Sequence, residues 1–157
     1  MSLDPKITSS SKDYSLPMHT AEHILNQTMI RMFGCNRSMN AHIEKKKSKC
    51  DYFLDDAPSN EQVLAIEKKV NEVIERNLRV SIQMVEIQDA QKMADLSKLP
   101  EGTSGMIRLV FVGDYDVCAC IGPHVDNTSE IAQFRILNHE FENGRWRMRF
   151  KLEERSA

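Results

Sequence analysis

Two pairs of residues have the types and spacing of metal ligands. His19 and His23 stand four apart in His19-Thr20-Ala21-Glu22-His23, and on a helix that spacing places two imidazoles about 6 Å apart at Cβ, able to converge on one ion. Alone, the pair is more often an ordinary exposed helix face. Glu22 lies about 100° round the helix from His23, so the zinc-protease arrangement with a glutamate base over the metal is not what this pattern describes. The second pair is Cys120 and His124, joined by Ile121-Gly122-Pro123. A Gly-Pro turn at a strand end can fold the imidazole back beside the thiolate, a donor set that suits zinc. Alone, Cys120 is equally a buried thiol and His124 a turn residue bonded to backbone. Two such half-sites in one small chain point to a shared metal ion.

The first pair needs a helix. Pro17, favoured in a first turn, and Gly34, a stop, predict one over 17–33. Ala21, Ile24, Leu25, Thr28 and Met32 recur along it as an inward stripe, with both histidines on an adjoining face. Two strands or a hairpin follow over 38–54, around Lys45-Lys46-Lys47-Ser48-Lys49, and then a turn over 55–59. Ser59 with Gln62 makes a capping box opening a second amphipathic helix, with Val63, Ile66, Val70, Val73, Ile74 and Leu78 inward. Over 79–87, Val80, Ile82 and Met84 alternate with Ser81 and Gln83 as a half-buried strand, and a short helical turn follows near 89–96.

The second pair needs a strand end. Beyond a loop over 99–105, marked by Pro100, Gly102 and Gly105, strands are predicted at 106–112 and 116–121 around Gly113-Asp114. Strands at 134–141 and 145–152 flank Glu142-Asn143-Gly144, a hairpin signal. The last strand puts Arg145, Arg147, Arg149 and Lys151 on one face and Trp146, Met148, Phe150 and Leu152 on the other. Helices and strands without strict β-α-β alternation predict an α+β fold, mainly an antiparallel sheet packed against two longer helices. The expected organisation is a flexible lead-in over 1–16, with its Ser9-Ser10-Ser11 run, and a single domain over 17–157.

Composition narrows the function classes. The chain has 157 residues, 41% hydrophobic and 28% charged, a mix that argues against disorder, collagen and disulfide scaffolds. Its 21 basic and 23 acidic residues give a net charge of −2, which excludes a generically basic nucleic-acid coat and leaves local patches for any such contact. Nothing approaches the roughly 18 apolar residues of a membrane span, and the start is too polar for a secretory signal. Four cysteines are too few for a secreted scaffold, so a cytoplasmic protein with reduced thiols is expected.

His-x-x-x-His and, about a hundred residues later, Cys120-Ile121-Gly122-Pro123-His124-Val125 with Thr128 and Phe134 resemble the second additional domain of threonyl- and alanyl-tRNA synthetases. They also resemble the free-standing AlaX proteins related to the alanyl editing domain. The likeness runs from about Met18 to Leu152 and includes Asp51-Tyr52-Phe53 and Ile66-Glu67-Lys68-Lys69-Val70. The resemblance implies hydrolysis of the ester between a wrongly attached amino acid, typically serine or glycine, and tRNA. It implies His19, His23, Cys120 and His124 as the metal quartet and Thr20 as a pocket residue. The Gly-Pro-His-Val spelling is nearer the threonyl branch, and the ending Gly144-Arg145-Trp146-Arg147 nearer the alanyl one. Cys118 stands where the threonyl pattern has an acid, with Asp116 two residues further back; Cys118 faces the same side as Cys120 and is either a core thiol or a neighbour of the ligands. A synthetase core is not expected.

The expected activity is therefore zinc-dependent deacylation of mischarged Ser- or Gly-tRNA, of the alanine or threonine type, in trans. Zinc lowers the pKa of water from about 15.7 toward about 7 and polarises carbonyls. Four protein ligands, however, are the mark of a structural site, and a catalytic one keeps a position open. Two alternatives follow: a non-catalytic zinc-containing module that binds tRNA or a synthetase, and a metal-dependent hydrolase of another small ester. For tRNA contact the candidates are Lys45, Lys46, Lys47 and Lys49 together with Arg145 and Arg147, and the bland alternative is a solvated face. His42, His139 and Cys35 have no partner pattern.

Overall fold

The first helix is set by its ends. The Ser15 hydroxyl accepts from the Met18 amide, Pro17 occupies the first turn, and Gly34 closes the helix in the left-handed region at φ 68°, where a residue without Cβ is unstrained. This helix, α1, spans Leu16–Phe33 in the computed structural model, which describes residues 15–97, 99–100 and 102–154. Most of the expected lead-in lies outside the described residues. Next come the short strand β1 (Asn40–His42), β2 (Ser48–Phe53) and the second helix α2 (Asn60–Ile74). The capping box of α2 is formed, Gln62 N donating to Ser59 Oγ and Ser59 N to Gln62 Oε1. Then follow β3 (Val80–Glu86), α3 (Ile87–Met93), β4 (Met106–Val112), β5 (Asp116–Ala119), a 3-10 turn (Thr128–Glu130), β6 (Gln133–Glu142) and β7 (Arg145–Glu153).

The fold is α+β with three helices, but the single sheet expected from the sequence is two. One has the order β1-β2-β7-β6 and the other β3-β4-β5, and all neighbours are antiparallel. The β6–β7 hairpin turns on Asn143 at φ 52° and Gly144 at φ 80°, the two positive angles that match hairpin twist. Trp146, Met148 and Phe150 of β7 are fully buried, as its alternation predicts.

Helix α1 runs between the two sheets. On one side Tyr52 of β2 donates to Asn26 Oδ1 at 2.6 Å; on the other Thr28 Oγ1 shares a 2.8 Å hydrogen bond with Tyr115, just before β5. Ten of its 18 residues are buried, His19 and His23 among them, because a helix enclosed on two sides hides more than one stripe. Met32, expected inward, is 39% exposed, and Met29 is buried instead.

The second sheet corrects another expectation. Val80 is buried, but Ile82 and Met84 are 48% and 50% exposed. Val85 and Ile87 pack instead on a separate small core of Ala90, Ile107 and Leu109, on the α3 side. Both faces of this sheet are covered, each over part of its length, so strict alternation fails along β3. Strand β5 stops at Ala119, releasing the following residues to form a loop beside α1. No helix among the described residues is long and apolar enough to cross a membrane.

Candidate metal centre

Helix α1 and the loop after β5 bring His19, His23, Cys120 and His124 together. One donor atom from each lies within 4.8 Å of all the others. Cys120 Sγ is 3.5 Å from His19 Nε2 and 3.7 Å from His124 Nε2. Bonds of about 2.05 Å to nitrogen and 2.3 Å to sulfur at a tetrahedral centre imply edges of about 3.5 Å, and the two distances from Cys120 Sγ are of that size, so the group could hold a metal ion. The rings of His19 and His124 stack at 4.0 Å, and His23 meets His124 edge-on at 4.4 Å.

Two of the imidazoles have their other nitrogen hydrogen-bonded, and the third has it beside a carboxylate. His19 Nδ1 donates to the Pro123 carbonyl at 2.9 Å, which fixes the tautomer with Nε2 bare. His124 Nδ1 is 2.9 Å from Thr20 Oγ1, and the same oxygen accepts from the Val125 amide at 3.3 Å. His23 Nδ1 lies 3.5 Å from Asp116 Oδ2, an ion-pair contact longer than a normal hydrogen bond. Carboxylate or carbonyl partners behind ligating histidines are the usual means of aiming the free nitrogen at a metal.

The loop is stapled from below. Arg108 on β4 donates from one terminal nitrogen to the carbonyls of Cys120 at 2.6 Å and Gly122 at 3.0 Å. Asp116 is 3% exposed, and its Oδ1 accepts from Arg37 at 2.5 Å and Gln27 at 2.8 Å. Burial alone would raise the Asp116 carboxyl, but His23 and Arg37 outweigh it and hold it below the usual carboxylate range.

The same competition acts on the donors. Burial pushes the Cys120 thiol up, yet its contacts with His124, His19 and His23 bring it down to about 3, so it is a thiolate, the form that binds metal. Burial also disfavours charge on both other perturbed imidazoles. In His23 the Asp116 and Cys120 contacts overcome it and raise the group to about 9. In His124 burial prevails and lowers it to about 4.

Thr20 is fully buried and its hydroxyl is spent on His124. Cys118, on β5, is outside the four-donor group; its thiol is pushed up to about 12, chiefly by burial, and contacts the Ala119 carbonyl. Lys45, Lys46 and Lys47 are exposed in the β1–β2 turn and Lys49 is half-buried. Arg145 and Arg147 are on β7, where Arg147 makes a two-pronged contact with Asp51 at 2.7 and 2.9 Å.

Sequence reasoning missed Asp116, Arg37 and Arg108 as parts of the site. Asp116 was visible, four residues before Cys120, but its approach to His23 depends on where α1 crosses β5. Where the threonyl pattern has an acid two residues before the cysteine this chain has Cys118, and the carboxylate near His23 is that of Asp116, four residues before Cys120. Glu22, set aside in the sequence as a base, has its Oε1 4.0 Å from His19 Nε2, across one turn of α1.

Residues 107–154 match the model of the threonyl and alanyl tRNA synthetase second additional domain. Over 134 residues, 85% of this chain and 15% of the relative, the chain is 28% identical to an alanine tRNA ligase of Caldicellulosiruptor saccharolyticus. It is 32% identical over 135 residues to that of Streptococcus pneumoniae, covering 85% of this chain and 16% of the relative. With the enzyme of Streptococcus agalactiae the identity is 30% over 123 residues, 78% of this chain and 14% of the relative. The chain thus spans about 15% of the length of the curated relatives it matches. Residues 107–154 thus carry the likeness to the threonyl and alanyl tRNA synthetase second additional domain, within a chain that is similar over most of its length to part of alanine tRNA ligases.

Proposed function

We propose that this chain is a zinc-dependent hydrolase that removes the amino acid from mischarged aminoacyl-tRNA, serine or glycine on tRNA of the alanine or threonine type. The observation that carries the reading is the convergence of three imidazoles and one thiolate within 4.8 Å, on a chain related to alanine tRNA ligases. Three nitrogen donors and one sulfur suit zinc better than the hard cations, which take oxygen ligands.

When bound, the metal supplies Lewis acidity that polarises an ester carbonyl and makes water a better nucleophile at neutral pH. The protein's part is to hold the donors. Asp116 orients His23, the Pro123 carbonyl orients His19, and Thr20 orients His124. Arg108 fixes the loop that carries Cys120 through the carbonyls it binds. The exposed lysines of the β1–β2 turn offer phosphate contacts, which position a nucleic acid without reading its sequence.

A second reading is favoured by the donor count. Four protein ligands form a closed set, as in structural zinc, and would suit a non-catalytic module that binds tRNA. The test is a deacylation panel of Ser-, Gly-, Ala- and Thr-charged tRNA, with metal-loaded, chelator-stripped and zinc-restored protein. The hydrolase reading expects release of serine or glycine that stops on stripping and returns with zinc. Zinc bound at one per chain with no turnover on any charged tRNA establishes the module instead.

A further inference from the structure

One charged group beside the donor cluster has no part in holding it. Glu22 is half-buried, its side chain 13% exposed, and Oε1 lies at the cluster rim, 4.0 Å from His19 Nε2. Its other oxygen, Oε2, accepts from Asn26 Nδ2 at 3.2 Å. Asn26 is itself locked, because its Oδ1 accepts from the Tyr52 hydroxyl at 2.6 Å and from the Ser38 amide at 3.1 Å. Asn26 and Tyr52 are 4% and 0% exposed. A carboxylate is thus aimed by a buried chain of hydrogen bonds running from β2 through α1. Glu22 is not in the group of donors mutually within 4.8 Å, which sets it apart from the ligands.

Resting on the hydrolase reading, we infer that Glu22 binds the α-ammonium group of the aminoacyl end and so places the ester carbonyl over the metal centre. The chemistry of the site asks for such a residue. A divalent ion and one thiolate leave a net charge of about +1 among neutral imidazoles, which repels an incoming ammonium group. Asp116 cannot offset this, because Arg37 already neutralises it at 2.5 Å. Among the described residues no lysine or arginine is in ion-pair contact with Glu22; Arg37 feels its charge only at longer range, its own contact being with Asp116. A half-buried carboxylate with no cation in contact is costly, and a bound ammonium relieves that cost while setting substrate orientation. The prediction is discrimination: an N-acetylated aminoacyl group, which has lost the positive charge, binds poorly.

The experiment compares wild type with Glu22→Gln, which keeps the shape and the acceptor for Asn26. The probe is 3′-amino-3′-deoxyadenosine carrying alanine or serine in amide linkage, with its α-amino group free or acetylated, and binding is read by calorimetry. Zinc content and zinc affinity are measured on the same proteins. The expected result is that wild type prefers the free amine by at least about tenfold, and that Glu22→Gln reduces this preference to within about twofold with zinc binding unchanged. Tyr52→Phe, which removes one donor to Asn26, gives an intermediate preference. An equal loss for both probes, a fall in zinc affinity, or no preference in wild type overturns the inference. Preference for the free amine in a protein that hydrolyses no charged tRNA leaves Glu22 as the ammonium site and removes the hydrolase reading alone. Failure to bind either probe removes both.

Discussion

The interface of α1 with β5 and the outer face of β7 are both built from charged and hydrogen-bonding side chains, yet they differ in what those side chains can do. At the first, His23 and Asp116 are each 3% exposed and their neighbours are fixed by the packing of a helix between two sheets. At the second, Arg149 and Glu140 pair at 3.3 Å with side chains 28% and 56% exposed, and Lys151 and Glu153 pair at 3.2 Å. Water screens the second set, so its pairing contributes little. Burial makes the first set interdependent: the Cys120 thiol moves to about 3, and two imidazoles of one cluster move apart, to about 9 in His23 and about 4 in His124. Residue type alone therefore does not define a site; enclosure does.

The largest effect expected in this comparison is at the metal centre. Cys120→Ala removes the one thiolate of the quartet and should abolish stoichiometric zinc binding, measured by metal analysis after dialysis. Thermal stability should then stop responding to zinc, since a ligand present at 100 times its Kd stabilises by about 2.7 kcal/mol. Zinc-independent deacylation retained in Cys120→Ala would mean that the metal only shapes the pocket. Asp116→Asn comes next. It leaves Arg37, half-buried, without its counter-charge, at a cost of about 2 kcal/mol in denaturant unfolding, below the cost for a fully buried pair. It also loosens the orientation of His23, which should weaken zinc binding roughly 10- to 100-fold. Zinc affinity within twofold of wild type would show that Asp116 serves folding and not the metal.

How much of this was visible in the sequence varies by region. The β6–β7 hairpin was legible because its turn residues, Asn143 and Gly144, and the alternation on β7 are local signals. The α2 helix was legible for the same reason, through Ser59 and Gln62. The histidine and cysteine pairs could be read as half-sites, since each sits within five residues. Three things were not legible. The division into two sheets depends on which strands pair across long separations, such as β2 with β7. The exposure of Ile82 and Met84 depends on where the covering elements end. The Asp116–His23 and Glu22–His19 contacts depend on the crossing of α1 with β5 and on side-chain direction within one helical turn.

The two basic candidates for tRNA contact are now separable. Arg145, Arg147, Arg149 and Lys151 each have a carboxylate partner, in Glu142, Asp51, Glu140 and Glu153. Among the described residues, Lys45, Lys46, Lys47 and Lys49 have no ion pair with an acid. A lysine not committed within the protein can release counterions from a phosphate backbone without first breaking a pair. Replacing Lys45, Lys46 and Lys47 together with alanine should reduce the slope of log K for tRNA against log salt by about 2 to 3. Replacing Arg145 and Arg149 should leave that slope within about 0.5. The reverse pattern would place the nucleic acid on β7.

The smallest effect expected is a pH dependence at the one well-formed pair of the β7 face. Arg147 holds Asp51 below the ordinary carboxylate range; the hydrogen bonds from its guanidinium outweigh the burial that pushes the other way. A folded-state pKa below the unfolded one, about 3.9, means the pair's contribution is present above about pH 4. It is lost as pH falls through the folded-state value, because the folded protein must then bind the proton that the unfolded chain has already taken up. Arg147→Ala removes the partner from Asp51, itself 3% exposed, and the remaining burial moves that carboxyl upward. The variant should therefore differ most from wild type near neutral pH, and the difference should shrink below about pH 4 in acid titrations followed by circular dichroism. A difference that stays constant through pH 3 would instead assign the effect to packing of the arginine stem along β2, leaving the ion pair without a measurable part.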